Sequence, residues 1–142
     1  MFSGEQAHQL DAKNRIRIPV RFKAELGDRY VFCKSAARCI NVMPQSTFEK
    51  MAQEFSKISM FDVEGQEALT EFMSSFYQAE EDSQGRVILP QALREYAGIE
   101  KDIITVGVYD KLEIWSADIR EKKRKEKTFG EYMSVLAQRT AK

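Results

Sequence analysis

Asp11 and Arg15 lie four residues apart in DAKNR, and Asp82 and Arg86 keep the same separation in DSQGR. An aspartate at a turn accepts backbone N–H groups, and an arginine four residues on can pair with it and lock the loop. Asn14 and Gly85 suit such a turn, because Gly and, less comfortably, Asn tolerate positive φ. The arginines have a second use, since guanidinium is the usual bidentate reader of guanine edges and of phosphates. Two aspartates related by internal symmetry could instead form an acid–base dyad. Their neighbours argue against it, because basic partners would hold both carboxylates ionised. No Walker A, G-x-S-x-G, H-E-x-x-H or G-x-G-x-x-G pattern occurs, so no catalytic residue is assigned and an enzyme is not expected.

Metal and cofactor chemistry have little to work with. His8 is the single histidine, and Cys33 and Cys39, spaced CKSAARC, match neither a redox pair nor a zinc set. They read as free buried thiols, and no metal or cofactor is expected. The N-terminal residues hold no apolar run of signal-peptide length, and no later segment approaches the roughly 20 residues needed to span a bilayer. The expectation is a cytoplasmic protein with no membrane partner.

The elements that position these pairs come in duplicate. LDAKNRIRIPVRFKAELG, from Leu10 to Gly27, overlies EDSQGRVILPQALREYAG, from Glu81 to Gly98, with a constant offset of 71 and no gap. Arg15 to Ile18 and Arg86 to Leu89 read as short strands. Pro19 and Pro90 then sit where a helix begins, and Gly27 and Gly98 where it ends. Two further strands follow in each unit: Arg29 to Lys34 with Cys39 to Met43, and Asp102 to Val108 with Leu112 to Trp115. Between the units, Ser46 to Glu49 reads as a capping box before an amphipathic helix through Phe55, and Leu69, Phe72, Met73 and Phe76 mark a second helix. After Trp115, IREKKRKEK reads as a solvent-facing helix.

The domain reading is therefore repeat 1 over residues 5–47, a helical linker over 48–75, repeat 2 over 76–119 and a basic C-terminal helix and tail over 120–142. A forty-residue unit buries little apolar surface alone. Two such units are expected to complete each other as an intrachain pseudo-dimer of α+β class, with strands of one half pairing into the other.

The 142 residues carry 22 basic and 22 acidic side chains, and a formal net charge of zero argues at first against a nucleic-acid binder. The zero is a cancellation of blocks. Lys13, Arg15, Arg17, Arg21 and Lys23 form a stretch without an acid, whereas Glu49 to Asp82 holds nine acids against Lys50 and Lys57. From Arg120 to Lys142, eight basic residues face three acids. Alternation along a strand sends Lys13, Arg15 and Arg17 to one side and Ile16 and Ile18 to the core. That basic comb predicts DNA binding through Lys13, Arg15, Arg17, Arg21 and Arg86, with Asp11, Asn14, Asp82 and Gly85 supporting the loops. The rival reading is a non-enzymatic interaction scaffold that docks partners on the acidic linker helices.

The MFxGE start, the doubled Asp-x-x-Gly-Arg-x-x-x-Pro units and the ending LEIWS closely resemble the MraZ family of bacterial proteins, over about Met1 to Arg120. The resemblance implies tandem AbrB-like (SpoVT-AbrB) swapped-hairpin β-barrel repeats. It implies a nucleoid-associated transcriptional repressor of the division and cell-wall gene cluster, reading short direct repeats in promoter DNA as a ring-shaped homo-oligomer. By position, the family's reading element falls on Asp11, Lys13 and Arg15 and on Asp82 and Arg86. Two departures matter: Asn14 stands where Gly is usual, and Gln84 and Ile88 replace Lys13 and Arg17 in the second unit.

Overall fold

The computed structural model describes residues 1–142, as a mixed α+β chain of eight strands and six helices. The strands are β1 (Glu5–Gln9), β2 (Arg15–Arg17), β3 (Tyr30–Lys34), β4 (Ile40–Pro44), β5 (Tyr77–Gln78), β6 (Arg86–Ile88), β7 (Asp102–Val108) and β8 (Lys111–Ser116). The helices are α1 (Val20–Leu26), α2 (Gln45–Phe55), α3 (Val63–Met73), α4 (Gln91–Ala97), α5 (Ala117–Arg124) and α6 (Phe129–Thr140). All strand pairing is antiparallel, in a six-stranded sheet of order β1-β7-β8-β4-β3-β5 and a separate β2–β6 ribbon.

Each repeat lends strands to the other. β1 of the first unit pairs with β7 of the second, β5 at the head of the second pairs with β3 of the first, and β4 pairs with β8 across the middle. The internal symmetry is visible in the registers. Ile16 faces Val87, its own counterpart at the offset of 71, and Asn41 faces Glu113, which holds the same place in KLEIWS as Asn41 holds in CINVMP. In both pairs a residue thus meets its own counterpart, as an approximate twofold relation between the halves requires. The hydrophobic reason is a shared core of 19 buried residues drawn from both halves, including Ile16, Phe22, Phe32 and Val42 with Val87, Leu93, Ile103 and Leu112. Truncating a Leu or Ile of this core to alanine costs about 2–5 kcal/mol, whichever half supplies it.

Local chemistry sets the helix boundaries. Pro19 and Pro90 stand at the N-cap positions of α1 and α4, with φ of −53° and −55°, one residue ahead of the first-turn place expected for them. Gly27 and Gly98 end the same helices with positive φ. The capping box expected at Ser46 to Glu49 does not form. α2 already starts at Gln45 behind Pro44, with no side-chain cap, so Ser46 and Glu49 lie inside the helix. A capping box is found instead at Thr128 and Glu131, where it starts α6, a helix that sequence reading folded into the tail. Phe76 falls beyond the end of α3, yet it packs with Phe48 and Phe72 over Val31, Cys33 and Met43. This satellite core is how the linker helices cover one face of the sheet.

Both cysteines are free and buried, and burial pushes their thiols up, Cys33 to about 12 and Cys39 to about 11. No helix is long and apolar enough to cross a membrane.

Candidate nucleic-acid interface

The β2–β6 ribbon has one buried and one open face. Ile16 and Val87 form the inward pair, and Ile18 and Leu89, just past the strand ends, are buried in the same core. Four side chains point the other way: Arg15 opposite Ile88, and Arg17 opposite Arg86. Three of the four are arginines. Ile88 is 62% exposed although apolar, because the pleat leaves it no core to enter.

A turn of identical bonding closes each end of the ribbon. In the first, Asp11 Oδ1 accepts from the backbone N–H of Lys13 and of Arg15, both at 2.9 Å, and Oδ2 accepts from Arg15 Nε at 2.8 Å. In the second, Asp82 Oδ1 accepts from the N–H of Gln84 and Arg86, both at 2.9 Å, and Oδ2 from Arg86 Nε at 3.2 Å. Asn14 N–H and Gly85 N–H each donate to the carbonyl of their own aspartate at 3.0 Å. The fourth turn residue needs the left-handed region, and Asn14 (φ 59°) and Gly85 (φ 76°) both take it. The Arg15 N–H, followed by the Lys13 N–H and the Arg15 guanidinium, holds the Asp11 carboxyl below its ordinary value. The Arg86 and Gln84 N–H groups do the same for Asp82. Both aspartates are therefore ionised braces, the state opposite to that of a proton-sharing dyad.

The braces aim the arginines. Each binds its aspartate through Nε, which fixes the guanidinium plane and leaves the outer nitrogens without a hydrogen bond in the protein. Arg15 goes further, with Nη1 3.6 Å from Asp82 Oδ2, so one side chain touches both turns. Leu89 N–H donates to Asn14 O at 3.0 Å and adds a main-chain link between the units.

The remaining cations of the first repeat divide. Lys13 and Arg17 are exposed. Lys13 sits in the turn rather than on the strand, so the expected comb of three alternating strand residues is in fact one turn residue and two strand residues. Arg21 lies on α1, where its Nη1 donates to Glu5 O at 3.2 Å and its guanidinium sits 5.2 Å from the Phe22 ring centre. Lys23 is engaged elsewhere. Its Nζ donates to Gly27 O at 2.8 Å and pairs with Asp28 at 3.1 Å and Glu81 at 3.3 Å. Burial disfavours that charge, but the bonds to Asp28 and Glu81 outweigh it and raise the Lys23 pKa. Glu81 also accepts from Tyr30 Oη at 2.7 Å. Sequence reading missed this network because its partners are about fifty residues apart and carry no local motif.

The family model of the MraZ protein matches residues 1–70 and again 72–130. A protein named transcriptional regulator MraZ from Symbiobacterium thermophilum is 40% identical over 81% of this chain and 83% of its own length. Proteins of the same name from Clostridium acetobutylicum and Leuconostoc mesenteroides subsp. mesenteroides are 39% and 36% identical, each over 83% of this chain and over 83% and 82% of their own.

Proposed function

The chain belongs to the MraZ family, and from that premise we propose that it is a sequence-specific DNA-binding transcriptional regulator whose β2–β6 ribbon enters the major groove. The observation that carries this reading is the outer face of the ribbon, with three arginines on four positions and two of them braced by aspartates. A two-stranded ribbon is one of the two elements that fit the major groove. Braced guanidiniums lose little freedom on binding, which suits Arg15 and Arg86 to base edges. Lys13 and Arg17, exposed and on the same side, serve as phosphate contacts, and Arg21 is a flanking phosphate contact on α1.

The finer features follow from the same reading. The exchanged strands are taken as an AbrB-like swapped-hairpin arrangement. The regulator represses the division and cell-wall gene cluster, binds short direct repeats in its promoter, and acts as a ring-shaped homo-oligomer in which each copy presents one ribbon at a fixed interval.

The test is selection of bound fragments from genomic DNA, followed by titration of the selected fragment between about 50 and 200 mM salt. The expected outcome is enrichment of short boxes at constant spacing and a log–log salt dependence with negative slope. Sequence-indifferent retention, or binding unchanged by salt, would sink the proposal.

A further inference from the structure

Two surfaces remain outside the ribbon reading, and they are complementary. At the tip joining α2 to α3, Met60, Phe61 and Val63 are exposed, Phe61 by 87%. Asp62 and Glu64 alternate with them, and no lysine or arginine occurs between Lys57 and Arg86. At the other end of the chain, Phe129, Tyr132, Met133 and Leu136 form one face of α6, with Phe129 77% exposed. Tyr132 Oη donates to Lys123 O at 3.2 Å and holds α6 against α5. Between the two helices lies a groove of about 450 Å³ lined by Arg120, Arg124, Lys127, Phe129, Tyr132 and Met133. Arg120 Nε is buried there without a partner, whereas Arg124 is already paired with Glu5.

The tip alternates apolar and acidic side chains, and the groove combines an apolar wall with cations. Asp62 Oδ1 caps α3 by accepting from Gly65 N–H, and Lys127 Nζ lies 5.8 Å from the Tyr132 ring centre, but neither residue has an ion pair within the chain. We propose that the α2–α3 tip of one copy docks into the α5–α6 groove of a second copy of this chain, Phe61 against Phe129 and Met133, and Asp62 and Glu64 against Arg120 and Lys127. Every copy then offers one tip and one groove, so the contact is heterologous and propagates head to tail until a ring closes. A single small contact of this kind is weak, and closure makes it stable because the last contact is intramolecular. This inference rests on the homo-oligomer reading above and specifies the surface that builds it.

The test uses the full chain. Phe61→Cys and Met133→Cys place thiols at two exposed positions, while Cys33 and Cys39 are fully buried and leave no competing thiol. With a short bis-maleimide, the double variant should give a ladder of covalent oligomers, an equimolar mixture of the single variants a covalent dimer, and either single variant alone the monomer band. Independently, Lys127→Glu should raise the concentration at which half the assembly dissociates, read as mass by light scattering, by about tenfold or more. Mixing in Glu64→Lys copies should restore it. An oligomeric wild type, with no ladder from the double cysteine variant and no Lys127→Glu effect, would overturn this contact and leave the homo-oligomer reading standing. A monomeric wild type would overturn both. Sedimentation with phosphatidylglycerol vesicles that is lost in Lys127→Glu, without any cross-linked ladder, would assign the groove to a membrane surface and overturn the inference.

Discussion

The turn around Asp11 and the turn around Asp82 share every hydrogen bond from the aspartate to its own loop and differ in almost every exposed side chain. Lys13 is answered by Gln84, Arg17 by Ile88 and Asn14 by Gly85, while Asp, Arg and the following Pro are kept. The shared residues are those whose atoms close the turn or start the helix. Of those that differ, Lys13, Gln84, Arg17 and Ile88 have exposed side chains that make no hydrogen bond or ion pair within the protein. The repeated Arg15 and Arg86 thus serve the turn in both units, while the flanking charges belong to the first unit alone. The first repeat carries the excess of charge, and through Arg15 it also reaches across to Asp82, a contact that Arg86 does not return.

The sharpest way to break that comparison is to remove each arginine in turn. Arg15→Ala deletes a braced guanidinium, a base reader in the function proposed, and the side chain that reaches both turns. It should weaken binding to the selected fragment about 100-fold, as expected for loss of a bidentate contact worth about 1–3 kcal/mol. Some thermal stability should be lost as well, because Asp11 and Asp82 lose a partner. Arg86→Ala leaves the Arg15 links intact and should cost about tenfold. Equal losses in a fluorescence anisotropy titration would mean that the two halves read DNA symmetrically.

Charge on the open positions comes next. Arg17→Ala should weaken binding to all sequences alike and reduce the salt slope by about 0.9, one phosphate's worth. The converse, Ile88→Arg, supplies the second repeat with the cation it lacks and should steepen the slope by a similar amount. Because residue 88 faces Arg15 across the ribbon, this gain should come with a stability loss of about 0.2–1 kcal/mol from like charges placed opposite. Unchanged salt slopes in both variants would remove the outer face from the interface.

A smaller effect separates the backbones. A Cβ built on Gly85 meets nothing within 4 Å, so Gly85→Ala is charged only for its left-handed φ, about 1–2 kcal/mol. Asn14→Gly, in the equivalent place, should change stability by much less, since Asn already tolerates that region. Denaturant unfolding measures both, and a neutral Gly85→Ala would show that the turn relaxes out of the left-handed region.

Much of this was legible in the sequence, for reasons that can be named. The gapless offset of 71 gave both turns and both Pro-to-Gly helices, and strand alternation gave the burial of Ile16 and Ile18, because each rests on a residue type with one dominant use. β1 and β5 went unread: Glu5–Gln9 is almost wholly polar and exposed, and two residues at Tyr77–Gln78 have no periodicity to detect. Both owe their strand form to a partner from the other repeat, which no local pattern encodes. The same holds within the site. The charge of Lys13 and Lys23 is equally plain in the sequence, but Lys23 is held by Asp28 nearby and by Glu81 from the other repeat, whereas Lys13 has no ion pair.

The edge strands extend the comparison to its smallest expected effect. His8 lies on β1, and its counterpart at the same offset, just past β5, is Ala79. His8 Nε2 is 2.7 Å from Oγ1 of the buried Thr105, and burial lowers the imidazole pKa from its ordinary 6.5. The fold therefore favours neutral His8, and as pH falls the unfolded chain takes up the proton first. Stability contributed by this group is complete above about pH 6.5 and declines as pH drops below it. The depressed carboxylates Asp11 and Asp82 act in a separate window, keeping their contribution until pH falls below the ordinary 3.8. Urea midpoints of the wild type should thus slope downward from pH 7 to 5, and those of His8→Gln should stay flat over the same range. The Ala79 edge adds no slope of its own, so Ala79→Ser should track the wild type. A wild-type midpoint independent of pH between 7 and 5 would mean that the β1 edge opens enough to hydrate His8, and that the two sheet edges are alike in kind as well as in origin.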